Sequence, residues 1–471
     1  MKLQVVLLFA LLMSSCTQQT TSKKQESTLP NIILVLTDDQ GYKDVGFNGS
    51  EDILTPNIDA LANEGIVFTN GYVSHPYCSP SRAGLMTGRY QQRFGHEHNV
   101  PFAPKNETMG TPLDEVFISN KMKEAGYATY AIGKWHLGDH PSFLPHRRGF
   151  DNWFGFSGGN MNFWGVPQKE GRMHIQRNDV IISPNALTYL TDDFTNEALA
   201  NIKDNGTKPF FMFLSYNAPH SPDQATLEYL EKTAHIEFGK RSVYGAMIAG
   251  IDKGIGQLVD LLTEINIRDN TMIVFLSDNG GRLDVANNGT YRGHKGMLFE
   301  GGIRVPFAIS WPAKLPRGKT FNEPVISLDL FTTFMAAAGV KAGVNDKLDG
   351  INLLPYLSFN GKTLTDRALY WRVANGKEYA VRKGAYKLLK SAYKNKTMLF
   401  NIEQDHHEIS DISSENPEIV AQLVNLYENW NDELTTPKWT DPHMANVRKE
   451  EADTREYRRK SLSKKEQARY D

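Results

Sequence analysis

Residues 31–41 read NIILVLTDDQG, and residues 271–281 read TMIVFLSDNGG. Each is a short, almost unbroken apolar run, closed at once by oxygen-bearing side chains. Runs of this kind are what buried parallel strands require, because both of their faces are covered. Residues 209–214 (PFFMFL) read the same way, and 127–132 (YATYAI) add a further strand. Between them Val243, Met247, Ile251, Ile255, Leu258, Leu262 and Ile265 recur every three or four residues, the period of an amphipathic helix. Thr55-Pro56 predicts a helix that stops at Gly65: Thr caps, Pro fits the first helical position and Gly suits a left-handed stop. Another is predicted from Thr111-Pro112 to Gly126. Strands alternating with helices predict an α/β fold, a large mostly parallel or mixed sheet flanked by helices.

The pattern changes after Gly339. Residues 368–373, 378–382, 386–390 and 397–402 are strand-like and too closely spaced for crossover helices, so they predict a smaller C-terminal antiparallel sheet. Residues 415–430 read as a helix on it, and the charge-dense 441–471 as a tail.

The 471 residues carry 52 Lys+Arg against 54 Asp+Glu, which leaves no basic footprint for nucleic acid. Two cysteines, Cys16 and Cys78, exclude a disulfide framework or a cysteine-rich zinc site. Residues 1–15 (MKLQVVLLFALLMSS) have one early lysine and an apolar run too short to span a bilayer, as a secretory signal does. With Cys16 this ending resembles a bacterial lipobox, which implies lipidation of Cys16 and an exported, lipid-anchored protein. Thr17 and Gln18 are not an acidic surface-export signal, which favours the periplasm-facing side. The expected organisation is a signal peptide over 1–15, a flexible tether over 16–29, a catalytic domain over 30–340, a C-terminal α+β subdomain over 341–440 and the tail.

In open α/β sheets ligands sit beyond the carboxyl ends of the strands. There this sequence puts Asp38 and Asp39 after one strand, Asp278 and Asn279 after another. Asp or Asn after one strand also serves as turn former or cap. Two such clusters would repel each other unless a cation sat between them, and all-oxygen ligation suits Ca²⁺ or Mg²⁺. Other strand ends carry Lys134 with His136, and His220; Lys295 lies in a basic, Gly-flanked loop. One metal and several cations would hold a sulfate or phosphate ester. Cys78, beside a helix start at Pro80, reads as a thiolate nucleophile or as a small buried hydrophobe.

Cys78-Ser79-Pro80-Ser81-Arg82 with Thr87-Gly88 resembles the signature of type I sulfatases, in the alkaline-phosphatase superfamily. The likeness spans 30–402 and includes Asp38-Asp39-Gln40-Gly41, Gly133-Lys134-Trp135-His136-Leu137-Gly138, Ala218-Pro219-His220, Ser277-Asp278-Asn279-Gly280, Lys295-Gly296 and the run from Glu300 to Pro306. It implies that a maturing enzyme oxidises Cys78 to Cα-formylglycine (3-oxoalanine). It implies Ca²⁺ ligands Asp38, Asp39, Asp278 and Asn279, completed by an oxygen of modified Cys78 or the substrate. Arg82 and Lys134 would hold the aldehyde hydrate, His136 would be the base that breaks the covalent intermediate down, and His220 and Lys295 would bind sulfate and help protonate the leaving oxygen. The hydrate's two hydroxyls give the reaction its exit: one attacks sulfur, and the other loses its proton to expel sulfate and restore the aldehyde.

The substrate implied is a sulfated oligo- or polysaccharide, an algal one such as ulvan or carrageenan ahead of a glycosaminoglycan. Phe150, Trp153, Phe154, Phe156, Phe163 and Trp164 could stack on sugar rings or pack against the sheet. Arg93, His96, His98 and Asn99 are rim candidates, or surface residues without function. The rival functions are a phosphate or phosphonate monoester hydrolase on the same fold, and a carbohydrate-binding lipoprotein with a dead core.

Overall fold

The computed structural model describes residues 29–440, apart from 167–172, 342, 344–345, 365 and 392–395. The signal peptide, Cys16, most of the tether and the 441–471 tail lie outside the described residues.

The strand Asn31–Thr37 sits inside a ten-stranded sheet. It pairs in parallel with Thr271–Ser277 on one side and Phe210–Ser215 on the other. Ala128–Lys134 and Asn152–Phe156 continue the parallel set outward. Phe307–Ser310 runs antiparallel to Thr271–Ser277, and short strands finish both edges, so the sheet is mixed. Alternate residues serve separate cores: Ile32, Leu34 and Leu36 face one, Ile33 and Val35 the other. That two-sided burial is why NIILVL carries no polar alternation. The helices Pro56–Asn63, Leu190–Asp204 and Lys240–Glu264 cover one face. Cys78–Thr87, Ile118–Glu124 and Asp329–Ala337 cover the other.

Ala368–Val373, Glu378–Lys383, Tyr386–Ser391 and Lys396–Asn401 form the small antiparallel sheet, with the helix Pro417–Asn431 against it. Its buried Leu369, Trp371, Val373 and Leu399 belong to the same apolar cluster as Leu34 and Leu36. Each such side chain contributes about 1.5–3 kcal/mol by leaving water.

Three local expectations fail for identifiable reasons. Thr55 makes no side-chain cap; its hydroxyl accepts from the Gly46 N–H at 2.8 Å and donates to Asp59 at 3.0 Å. Gly65 is not a left-handed stop, since the helix ends at Asn63. A Cβ at Gly65 would lie 2.0 Å from the Ile309 carbonyl oxygen, so close approach of the neighbouring strand demands glycine. The helix expected from Thr111-Pro112 begins only at Ile118. The carbonyls of Thr111, Pro112 and Glu115, which a first helical turn would have used, accept from the Arg148 guanidinium instead. That helix does end as expected, with Gly126 at φ +87°.

Candidate active site

Four parallel strands deliver the site. Asp38 and Asp39 follow Asn31–Thr37, and Asp278 and Asn279 follow Thr271–Ser277. Lys134 closes Ala128–Lys134, with His136 two residues on, and His220 lies beyond Phe210–Ser215. The helix Cys78–Thr87 brings Cys78 in as its first residue, so Pro80 sits inside the first turn rather than opening the helix. Gly88 ends it at φ +65°.

Around the Cys78 sulfur the distances are short. Sγ lies 3.4 Å from Asp38 Oδ1, 3.8 Å from Asp39 Oδ1 and 3.4 Å from Lys295 Nζ. Lys134 Nζ donates to Asp38 Oδ2 at 2.5 Å, and Lys295 Nζ to Asp39 Oδ2 at 2.8 Å. Arg82 Nε donates to Asp278 Oδ2 at 2.9 Å, and its second arm reaches Ser215 Oγ at 2.6 Å. Asn279 Nδ2 donates to Asp39 Oδ1 at 2.8 Å, and the Asp39 N–H to Asp278 Oδ1 at 3.2 Å. His220 Nε2 stands 3.6 Å from Asp39 Oδ2, while its Nδ1 donates to the Ser221 carbonyl at 2.7 Å. His136 is buried, its backbone is left-handed at φ +63°, and its Nδ1 has no partner among the described residues.

The carboxylates at the strand ends are already neutralised by cations, contrary to the expectation that only an ion would hold them together. Asp38, Asp39 and Asp278 face Lys134, Lys295 and Arg82, so repulsion among the carboxylates does not by itself call for an ion. The donor set still fits one. Asn279 Oδ1 is buried without a hydrogen-bond partner among the described residues, and oxygens of Asp38 and Asp39 gather with Cys78 Sγ and a His220 nitrogen within 4.8 Å of one another. Asp278 Oδ2 is held by the Arg82 guanidinium at 2.9 Å. An oxygen-rich set with one open amide oxygen suits a hard divalent cation.

Burial raises the Cys78 thiol well above its ordinary pKa, helped by Asp278 and opposed by Lys134 and Lys295. As a plain thiol it stays protonated at neutral pH, which does not suit a thiolate nucleophile. Burial pushes Asp278 up to about 6, with repulsion from Asp38 added and Arg82 opposing. Burial would also raise Asp39, but Lys295 and its other partners hold that carboxyl well below the usual range. Burial lowers His220 to about 3 against the pull of Asp39, and lowers His136 well below its ordinary value, with Lys134 and Arg82 adding repulsion. A neutral His220 whose proton sits on Nδ1 presents a bare Nε2 to the site. Lys295 keeps its proton there: burial would lower its pKa, but Asp39 and Cys78 outweigh that and raise it above the ordinary value.

Every candidate from the strand ends falls in this cluster, but the rim candidates do not. His96 is fully buried, 4.8 Å from the Trp439 ring, and bonded to Ser79 and Thr111. Trp439 Nε1 also donates to the His98 and Asn99 carbonyls, and Asn99 Oδ1 accepts from the Ser79 N–H. Arg93 is spent on Asp349 and Glu433. Of the aromatic loop, only Trp164 is exposed; Phe150, Trp153, Phe154, Phe156 and Phe163 pack in the two cores. Ser215, which orients Arg82, is a further site residue, and its place at the end of the strand Phe210–Ser215 is the sequence signal for it.

Residues 30–340 match the model of the sulfatase family, and residues 289–433 that of the N-sulphoglucosamine sulphohydrolase C-terminal region. The chain belongs to the sulfatase family. Human N-acetylgalactosamine-6-sulfatase is 35% identical over 366 residues, 73% of this chain and 68% of that one. Ps i-CgsB, solved in complex with k-i-k-neocarrahexaose, is 39% identical with a TM-score of 0.84, over 89% of this chain and 96% of that one. The phosphonate monoester hydrolase of Agrobacterium radiobacter shares the fold, with a TM-score of 0.61 at 19% identity over 86% of this chain and 95% of that one. This sulfatase is a sulfuric ester hydrolase, so the reading as a dead carbohydrate-binding core does not hold.

Proposed function

We propose that this sulfatase removes sulfate from a sulfated polysaccharide of the carrageenan kind, with Cys78 oxidised to formylglycine and one Ca²⁺ held by Asp38, Asp39, Asp278 and Asn279. The observation that carries the substrate is the 39% identity, over nearly the whole described chain, with a protein solved on a carrageenan hexasaccharide. The family's modification signature, complete from Cys78 to Arg82, supports the aldehyde. The open Asn279 oxygen supports the ion.

The oxidised side chain would supply the nucleophile, and the ion would draw charge from the sulfate oxygens. The chain's own residues do the rest. Arg82, braced by Asp278 and Ser215, and Lys134, braced by Asp38, present fixed positive charge to the anion. Lys295 offers the proton that the departing alcohol takes. His136, neutral and buried, is the base. Residues 1–16 support export and lipidation at Cys16, with a periplasm-facing anchor. Among the described residues no helix is long and apolar enough to cross a membrane.

The test is protein co-produced with a sulfatase-maturing enzyme. Mass spectrometry of the Cys78 peptide should show the thiol converted to aldehyde. Sulfate release should be largest on carrageenan oligosaccharides in a panel with ulvan, glycosaminoglycan and phosphate monoesters. EGTA should stop it and Ca²⁺ restore it. Full turnover with an unmodified thiol would sink the mechanism, and faster phosphate release would favour the hydrolase alternative.

A further inference from the structure

Ser79, His96 and Thr111 form a buried line of hydrogen bonds that the mechanism above leaves unused. Ser79 Oγ lies 2.7 Å from the His136 carbonyl oxygen and 2.7 Å from His96 Nε2. His96 Nδ1 lies 3.0 Å from Thr111 Oγ1. All three side chains are fully buried.

The line has only one consistent direction. A carbonyl oxygen only accepts, so the Ser79 hydroxyl donates to His136. Ser79 Oγ then offers His96 only a lone pair, so the proton of the imidazole sits on Nε2. Nδ1 is left as an acceptor, and the Thr111 hydroxyl donates to it. Burial, with His98 and Arg148 adding repulsion, lowers His96 to about 3, so the ring stays neutral.

The end of the line matters because of what His136 must do. Its φ of +63° is a conformation that residues with a Cβ rarely adopt, so something must hold it. Its N–H donates to the Ser157 carbonyl at 2.8 Å, and its carbonyl accepts from Ser79. Both peptide groups of His136 are thus pinned. Ser79 also follows Cys78 in the same helical turn, so the line ties the base to the nucleophile.

We propose that Ser79, His96 and Thr111 are positioning residues that hold His136 in its left-handed conformation and so aim its imidazole at the substrate. This rests on the sulfatase reading, in which His136 is the base. Two measurements test it. First, ¹⁵N NMR of imidazole-labelled protein, with His96→Gln identifying the signal, should show His96 neutral and protonated on Nε2. That readout does not depend on activity. Second, Ser79→Ala and Thr111→Val should each lower kcat per mole of aldehyde while KM stays within about twofold. Ser79→Ala is expected to lose about 10²-fold, the scale of an ångström-level misplacement. The double variant should be no worse than Ser79→Ala, because both act through one line. Thr111→Val lies away from the Cys78 signature and keeps the test open if Ser79→Ala fails to mature. A His96 proton on Nδ1, undiminished kcat in the variants, or losses that simply multiply would overturn the proposal. A wild-type enzyme that releases no sulfate would instead overturn the sulfatase reading.

Discussion

Two of the buried charge clusters among the described residues behave differently. The first joins Asp38, Asp39 and Asp278 to Lys134, Lys295 and Arg82 at the strand ends. The second lies where the small C-terminal sheet meets the main body. There Lys387 Nζ is 2.8 Å from Glu300 and 2.9 Å from Glu408. Tyr72 donates to Glu300 at 2.6 Å, Arg382 donates to the Tyr72 hydroxyl, and Arg304 reaches Glu300 at 3.2 Å. Both clusters mix acid and base, but the first is partly open to solvent at Lys295, while Lys387, Glu300 and Glu408 are fully buried. The first keeps reactive atoms, among them the Cys78 sulfur, Asn279 Oδ1 and His136 Nδ1, whereas in the second the one oxygen without a hydrogen bond among the described residues, Glu408 Oε1, lies 2.9 Å from the Lys387 ammonium. The second is closed upon itself and works as a clamp. Its Glu408 accepts from the Glu300 N–H at 2.7 Å and, by its carbonyl, from Arg292 at 2.7 Å. It thereby grips the segment that carries Lys295. Buried charge marks a reactive site only where the groups are left unmatched; matched, it fastens chain to chain.

That contrast breaks most visibly with substitutions. Cys78→Ala should cut sulfate release by about 10³-fold or more while leaving the thermal unfolding almost where it was. Turnover equal to wild type would remove Cys78 from the chemistry. Lys387→Met should do the reverse. It leaves Glu300 and Glu408 facing each other without their shared cation, at a cost of about 3–5 kcal/mol in stability by denaturant titration. The molecules that still fold should keep most of their turnover. A stable Lys387→Met protein with lost activity would mean that the second cluster belongs to the site.

Sequence reading reached the first cluster and missed the second, and chain separation explains it. Asp38, Asp39, Asp278 and Asn279 each follow a strand whose two-sided burial leaves an unbroken apolar run, so position and chemistry are visible together. Lys387 stands between Tyr386 and Leu388 in Tyr386–Ser391 and looks like an ordinary solvent-facing strand residue. Its partners lie 87 residues away and in a loop beyond the strand Lys396–Asn401, and no local pattern announces them. Arg93 misleads in the same way, since Asp349 lies 256 residues on. His96 is hidden by chain separation too. The residues that bury it include Trp439, near the far end of the described chain.

The smallest expected effect concerns the proton inventory of the clamp. Burial, with the Glu300 charge added and Lys387 opposing, pushes Glu408 up from 4.5 to about 7. The folded protein therefore keeps a proton on Glu408 up to about pH 7, while the unfolded chain releases it near 4.5. Between those values the folded state binds more protons, so this group makes stability fall as pH rises. Glu300 is held down at about 2, chiefly by Lys387 against its burial, so its own contribution is lost only as pH falls below about 4.5. It adds no slope in the window. Asp139 and Asp278, each raised to about 6 mainly by burial, slope the same way as Glu408, so the measurement is a difference between two proteins. Glu408→Gln removes one of these groups and keeps the shape and the acceptor for the Glu300 N–H. Unfolding free energies of the two proteins, followed from pH 4.5 to 7.5, should separate by about 1–3 kcal/mol, with the glutamine form losing less as pH rises. Parallel curves would mean that Glu408 is ionised in the clamp at pH 5, and that the second cluster holds a full pair of carboxylates around Lys387.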